Sequence, residues 1–452
     1  MTNPASIADT DHNALADLLM NNGLDNSSDD IDDLTFDDSN YATLTDALEQ
    51  TVFESFDDGL YIGMMSGTSL DGMDAVLCQF NSEMSNEDST QPPMRLLATY
   101  SQDFPPRLRE VLLALCQPNG VNQLLPEADE PNSELDWFGW ASRAYAEFAS
   151  EVVNNLLQQS NTDPESVLAI GCHGQTVRHR PQMGFTLQLV DANIIAERTG
   201  ISVVNDFRRR DMAVGGQGAP LVPAFHQALF ANPDSTRVLL NLGGIANITV
   251  LPANEKDQVV GYDTGPANLL LDAWISLHID NAYDAGGAWA QSGTLIEPLL
   301  QQLLAHQFFA QAHPKSTGRE DFNLTWLQDE LQAFEQANAN IIYSAADVQA
   351  TLTELTAISA STQINTFISH SKNSSIYVCG GGALNDYLMA RLQAHLPHCT
   401  VKTTEHLGLA PTWVEAVAFA WLARQTLMGE TGNLPAVTGA NKGVVLGQVC
   451  FA

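Results

Sequence analysis

The stretch from Tyr61 to Phe80 constrains the fold more than any other. An apolar run enters at Tyr61-Ile62-Gly63-Met64-Met65, a polar turn of Ser66-Gly67-Thr68-Ser69-Leu70-Asp71-Gly72 follows, and a second apolar run leaves from Met73 to Phe80. This pattern predicts a β-hairpin with an enlarged polar turn. Gly67 and Gly72 let the backbone come close to a ligand and aim its N–H groups at an anion, while Ser66, Thr68 and Ser69 add hydroxyl donors. Asp71 and Asp74 would repel a bare phosphate. They make sense if a divalent cation stands between carboxylate and phosphate, usually through water as Mg²⁺ prefers. Taken alone, the stretch reads equally well as an ordinary hairpin with a wet turn.

The same shape returns downstream. Residues 238–251 read as strand, small-residue turn at Gly243-Gly244, and strand, with a third strand expected at 259–262. Asp263-Thr264-Gly265-Pro266-Ala267-Asn268 is then expected to start a helix, with Asp263 and Thr264 as candidate caps and Pro266 in its first turn. In the first copy the matching third strand falls at 95–100, followed by helices at 108–115 and 135–159. The second of these carries an aromatic stripe, Trp137, Phe138, Trp140, Tyr145 and Phe148, of the kind that fills a core. Two copies of hairpin, strand and helices suggest duplicated α/β domains with a nucleotide between them, touched by a turn from each. A length of 452 residues allows two to three domains.

Charge narrows the function. With 19 Lys and Arg against 54 Asp and Glu, a formal net charge of -35, nucleic-acid binding is not expected as the main activity. A site for ATP or another anion must gather the few cations locally. Three places do so or lie where α/β folds build sites. A buried strand at 167–172 runs into His173-Gly174-Gln175-Thr176-Val177-Arg178-His179-Arg180-Pro181, polar residues bunched at a strand end. A strand at 201–204, after a strand at 185–190 and a helix at 192–198, ends in Asn205-Asp206-Phe207-Arg208-Arg209-Arg210-Asp211, followed by the loop Gly215-Gly216-Gln217-Gly218. Consecutive arginines in so acidic a chain call for an anion or nearby carboxylates, and Asp206 among them is either a reacting carboxylate or a plain ion-pair partner. The loop 313–322 carries Lys315 and Arg319 and fits either a ligand contact or a connection.

Further on, helices are expected through much of 294–371. A strand at 375–379 meets Gly380-Gly381-Gly382, which lets a flat ring or phosphate approach the backbone at the start of a helix over 384–395. Residues 411–427 read as an amphipathic helix whose Glu415 is either exposed or held toward a cleft. Six cysteines lie without metal-ligand spacing. No leader peptide or bilayer-spanning run is visible, so a reduced, cytoplasmic protein with no membrane partner is expected. Residues 1–58 contain no Lys or Arg and are expected to be an acidic, unstructured extension, with short helical periodicity at 14–20 and 41–53.

Taken together, these stretches closely resemble the anhydro-N-acetylmuramic acid kinases, relatives of the sugar kinase, actin and heat-shock chaperone ATPase superfamily. The resemblance runs from Leu60 to Gln448. It rests on Gly63 to Asp74, His173-Gly174-Gln175-Thr176-Val177, Asp206 to Asp211 with its glycine loop, Asn241-Leu242-Gly243-Gly244-Ile245-Ala246-Asn247, Asp263 to Asn268, and Gly380-Gly381-Gly382-Ala383-Leu384-Asn385, in that order. It implies two duplicated actin-like (ribonuclease H-like) α/β domains, residues 59–236 and 237–452, around a central nucleotide cleft, with the last helix a candidate to return to the first domain. It also implies an ATP- and Mg²⁺-dependent kinase of cell-wall recycling. The enzyme would open 1,6-anhydro-N-acetylmuramic acid with water and phosphorylate O6.

By that likeness Asp206 is the catalytic base. Gly67, Thr68, Ser69, Leu70, Asp71, Gly72, Met73 and Asp74 grip the ATP phosphates, Asp71 and Asp74 serve the metal, and Gly243-Gly244 is the second phosphate turn. Gly380, Gly381 and Gly382 then lie against adenosine, and placement adds His173, Gln175 and Glu415 as substrate residues. A homodimer is a further expectation. The rival reading from another class is an ATP-driven protein clamp; the polar strand ends at His173 and Asp206 speak against it, since a clamp does not need them. The acidic extension departs from the family pattern.

Overall fold

The computed structural model describes residues 56–67, 70–81, 93–125, 131–254, 256–368 and 373–452. The expected extension up to residue 55, its two helical stretches, and Thr68 and Ser69 lie outside the described residues. Strands β1 (Gly59–Met65) and β2 (Gly72–Phe80) pair antiparallel from Gly59 opposite Phe80 to Met65 opposite Asp74, so the polar turn sits outside the ladder as expected. Next come β3 (Met94–Asp103), helices α1 (Pro106–Cys116) and α2 (Glu134–Ser160), and β4 (Val167–Cys172). Ser133 caps α2 by accepting from Asp136 N, and the inward stripe Trp137, Ala141, Tyr145, Phe148, Val152 and Leu156 packs it onto the sheet.

Residues 175–180, read above only as a polar run, form strand β5 (Gln175–Arg180), paired with β6 (Phe185–Leu189) in a separate two-stranded sheet. Its polar alternation hid a strand whose pairing partner lies just after a short turn. Helix α3 (Ala192–Thr199), strand β7 (Val203–Asn205) and the short helices α4 (Phe207–Ala213) and α5 (Val222–Phe230) follow.

The second sheet begins with β8 (Thr236–Leu242), β9 (Ile245–Leu251) and β10 (Val260–Pro266). The cap expected at 263–264 does not form. The ladder with β9 continues to Pro266 opposite Ile245, and the helix, α6 (Asn268–Ile279), starts only after it without a side-chain cap. A proline at a strand's edge end costs no ladder bond, so the strand wins over the turn. Helices α7 (Glu297–Leu304), α8 (Leu324–Ala337) and α9 (Ala345–Ile368) fill the following interval. The remaining elements are β11 (Ser374–Cys379), α10 (Asp386–His395), β12 (Thr400–Thr403), α11 (Val414–Leu427) and β13 (Gln448–Cys450).

The sheets run β13-β7-β4-β1-β2-β3 and β10-β9-β8-β11-β12. In each, an antiparallel three-strand meander is extended by two strands parallel to its first, and the first sheet adds β13 at its edge. The two sheets thus repeat one α/β arrangement. Helix α11 is not amphipathic. The eight consecutive positions from Ala416 to Ala423, and Val414 before Glu415, are buried in one core with Tyr61, Ala169, Leu239 and Tyr377 from both sheets. A helix buried on every side carries no polar face. Gly63 and Gly171 make room for it: a Cβ on either would lie 1.9 Å from Ala416 O and 2.0 Å from Phe419 O respectively.

Candidate active site

The burial of α11 fixes Glu415 at its first turn, and three segments converge on that carboxyl. Burial raises its pKa; Arg208 pulls it back down and Asp74 pushes it further up, which places the end of the first turn and the α4 segment around one group. Asn241, at the end of β8, donates its Nδ2 to Glu415 Oε1 at 3.4 Å and so ties the second hairpin to the same point.

Arg208 is the hub of this cluster. Its Nε and Nη2 both lie against His173 Nε2, at 3.0 and 2.9 Å, and its Nη1 donates to Gly218 O at 2.8 Å. Burial lowers Arg208 to about 10, opposed by Glu415 and Asp211. A nitrogen that accepts from a guanidinium cannot also carry a proton, so His173 is neutral with its hydrogen on Nδ1. Burial first, and Arg208 second, hold its pKa well below the usual imidazole value. Its ring rests on Phe419 of α11 at 4.7 Å between centroids, and its Nδ1 has no hydrogen-bond partner. Gln175 is buried, with Oε1 also unpartnered.

Asp206 stands between β7 and α4 with φ +57° and ψ +45°, a left-handed conformation for a residue with a side chain. Such strain costs about 1–3 kcal/mol and persists where the surroundings dictate it. Its Oδ2 meets Arg209 Nη2 at 2.5 Å. Asp211, at the far end of α4, is fully buried and accepts from Gly218 N, Asn433 Nδ2 and Thr438 Oγ1 at 2.8, 2.6 and 2.7 Å. Those bonds anchor the glycine loop and the helix that presents Asp206.

In the first turn, Gly67 O accepts from Leu70 N at 3.2 Å, and Arg109 binds Leu70 O at 2.8 Å and Asp71 at 3.2 Å. Leu70 and Met73 bury their side chains, so only their backbone can face a ligand. Gly72 is required by close packing, since a Cβ would lie 2.4 Å from Gln102 O. Asp74 is partly buried; burial raises its pKa and a hydrogen bond with Ser101 opposes the rise. Ser66 is buried against Tyr145, hydroxyl to hydroxyl at 2.9 Å.

On the second side, the carbonyls of Gly243 and Gly244 accept from Asn268 N, Ala267 N and Leu269 N at 3.0 to 3.1 Å, seating the turn on the start of α6. Gly380 (φ +80°) and Gly382 pack against that turn: a Cβ at Gly380 would lie 2.5 Å from Asn241 Oδ1, and one at Gly382 would lie 2.6 Å from Leu242 Cβ. Gly381 is open, with Asn268 Nδ2 nearest at 3.6 Å. Asp272 on α6 completes the picture. Burial, then Asp71 from the first turn and Asp284, push its carboxyl up to about 7.

The structure thus gathers Asp74, His173, Glu415, Gly243, Gly244 and Gly380 to Gly382 around Arg208 and Asn241, with Asp206 on the same helix as Arg208. Gln175 lies on the adjoining hairpin, and Asp71 stands at the exposed rim beside Arg109. Sequence reasoning missed Arg109, Asn241 and Asp272. Asn241 stood in the quoted turn motif without a role, and Asp272 left a signal as the one acid in the apolar run Leu269-Leu270-Leu271-Asp272-Ala273-Trp274. Among the described residues no group of three His, Cys, Asp or Glu is arranged to hold a metal ion, and no helix is long and apolar enough to cross a membrane.

A family model described as anhydro-N-acetylmuramic acid kinase matches residues 59–452. Among named relatives, the anhydro-N-acetylmuramic acid kinase of Psychrobacter arcticus is 81% identical over 435 residues, 92% of this chain and 100% of the relative. That of Shewanella pealeana is 48% identical over 390 residues, 86% of this chain and 97% of the relative. That of Acinetobacter baylyi is 46% identical over 397 residues, 86% and 98% of the two chains. With the match spanning both sheets and every segment that converges on Glu415, the chain belongs to the anhydro-N-acetylmuramic acid kinase family.

Proposed function

We propose that this cleft phosphorylates 1,6-anhydro-N-acetylmuramic acid with ATP, opening the anhydro bridge with water to give N-acetylmuramic acid 6-phosphate for cell-wall recycling. The observation that carries the reading is the convergence on Glu415 of the first turn, the Asp206 helix and the second hairpin. Residues 59–236 and 237–452 act as two actin-like halves, with α11 and β13 returning to the first. ATP phosphates lie between the turn at Gly67 to Asp74 and the turn at Gly243-Gly244, with adenosine against Gly380 to Gly382.

Water attacks the anomeric carbon and gives its proton to Asp206; the bond from that carbon to O6 breaks, and O6 takes the γ-phosphoryl group as ADP leaves. General-base action of this kind supplies about 10²–10⁴-fold, and alignment supplies much of the rest. Arg209 holds the Asp206 carboxylate in place. His173, fixed as a neutral donor by Arg208, serves to orient the sugar rather than to move its proton. Gln175 and Glu415 complete the sugar's polar surroundings.

Mg²⁺ fits the donors present: Asp71 and Asp74 flank the turn as separate carboxylates, which suits an ion held through water and phosphate rather than in a protein cage. Bound there, it would offset charge on the phosphoryl oxygens.

The test is product identity. Enzyme, ATP and the anhydro-sugar are expected to yield a species heavier than the sugar by phosphate plus water in mass spectrometry. ADP formation without that species would overturn the reading.

A further inference from the structure

The first turn is gripped by a side chain to which the reaction chemistry gives no part. Gly72 pairs with Asp103 at the end of the β2–β3 ladder, and only Phe104 and Pro105 separate that pair from helix α1. Phe104 is buried, with its ring 6.0 Å from Tyr145 and 5.2 Å from Phe148, and its N–H donates to Asp71 O at 3.0 Å. The start of α1 is therefore locked beside the turn, and Arg109, early in that helix, reaches across to it. Its Nε donates to Leu70 O at 2.8 Å and its Nη2 to Asp71 Oδ1 at 3.2 Å.

Leu70 is the residue that needs holding. Its φ is +58°, and a left-handed conformation persists in a residue with a side chain only where the surroundings dictate it. Three contacts do so: the side chain is buried in the core, the N–H donates to Gly67 O at 3.2 Å, and the carbonyl is taken by Arg109. Among the described residues none accepts from the N–H of Asp71, the amide that follows. Backbone N–H groups turned outward beside a left-handed residue are how nests hold anions.

The ion pair adds little by its charge. The side chains of Arg109 and Asp71 are 45% and 71% exposed, and so wet a pair contributes little to stability. Its geometry does more: one planar guanidinium spans a carbonyl and the neighbouring carboxylate through two different nitrogens, and it engages Oδ1 while leaving Oδ2 for the water shell of Mg²⁺. Resting on the function proposed above, we propose that Arg109 is a positioning residue for phosphoryl transfer. It holds Leu70 and Asp71 so that the Asp71 N–H and carboxylate meet the ATP phosphates and their Mg²⁺, and it acts through them rather than on the substrate.

The test compares wild type, Arg109→Ala and Arg109→Lys by calorimetry with a non-hydrolysable ATP analogue and Mg²⁺, and by steady-state kinetics. Arg109→Ala is expected to bind the analogue about tenfold more weakly. It is also expected to lose about 10- to 100-fold in kcat, the cost of reacting groups displaced by about 1 Å. KM for the sugar and the melting temperature stay as in wild type. Arg109→Lys is expected to match Arg109→Ala, because one ammonium cannot span Leu70 O and Asp71 as the planar fork does. Full rescue by lysine would show that only the charge counts, and wild-type binding and turnover in Arg109→Ala would show that the turn holds itself; either overturns the proposal. So does a fall in sugar affinity or melting temperature in step with kcat, which would make the role merely structural. A wild-type enzyme that binds the analogue and makes no sugar phosphate overturns the kinase reading itself, and the role in phosphoryl transfer with it.

Discussion

The two sheets share a strand order and differ at the ends of corresponding strands. Where β4 ends, Cys172 is followed by His173 and Gly174; where β11 ends, Cys379 is followed by Gly380, Gly381 and Gly382. The first hairpin has a long acidic turn propped by Arg109, whereas the second has two glycines seated on α6. One half therefore offers charged side chains and the other bare backbone. In our reading the same scaffold has been divided between chemistry and nucleotide contact, and Glu415 at the head of the shared helix α11 is where the two meet.

The sharpest way to break the first half is to remove its hub. Arg208→Met leaves His173, Gly218 and Glu415 without their cation, and is expected to cost about 3 kcal/mol, the low end for a buried charge stripped of its partner. Urea unfolding would read this as a lower midpoint; an unchanged midpoint would show that the cluster is held by something else.

Against the second half the matching change is Gly380→Ala. A Cβ there meets Asn241 Oδ1 at 2.5 Å and Leu242 O at 2.7 Å, and the φ of +80° strains any side chain. A cost of about 1–3 kcal/mol is expected, appearing as roughly tenfold or greater weakening of an ATP analogue in calorimetry with the affinity for the sugar kept.

The contact between the halves has a pH signature. Asp272 has its carboxyl raised to about 7 by burial, then by Asp71 across the cleft and by Asp284. Its folded pKa lies above the ordinary carboxylate value, so the folded chain holds the extra proton. This contribution to stability is full below about pH 4 and is lost as pH rises to about 7. Asp272→Asn is expected to remove that part of the decline in melting temperature between pH 5 and pH 8. Asp71→Asn should shrink it less, because burial is the larger cause.

Much of this division was legible in the residues. The apolar runs of β1, β2, β8 and β9 and the glycines and acids of their turns gave both hairpins, because local periodicity and turn chemistry act within a few residues. The Gly380 triplet, Asp206 and His173 stood out by position at strand ends. What was not legible depends on distant partners. β10 runs on to Pro266 because β9 is there to pair with it, and α11 looked amphipathic although two sheets cover it. Asp211, quoted only as the end of a motif, owes its place to Asn433 and Thr438, more than two hundred residues away in sequence. Asn241 reaches Glu415 across a similar gap. No local pattern announces such meetings.

The most direct measurement is on Asp206→Asn, made with turnover and nucleotide affinity read on the same preparation. In the proposed reading Asp206 takes the proton of water and touches neither phosphate nor adenosine, so kcat should fall by about 10²–10⁴-fold while the dissociation constant for an ATP analogue stays within about twofold, a change worth less than RT. Retained turnover, or a parallel loss of nucleotide binding, would contradict the account.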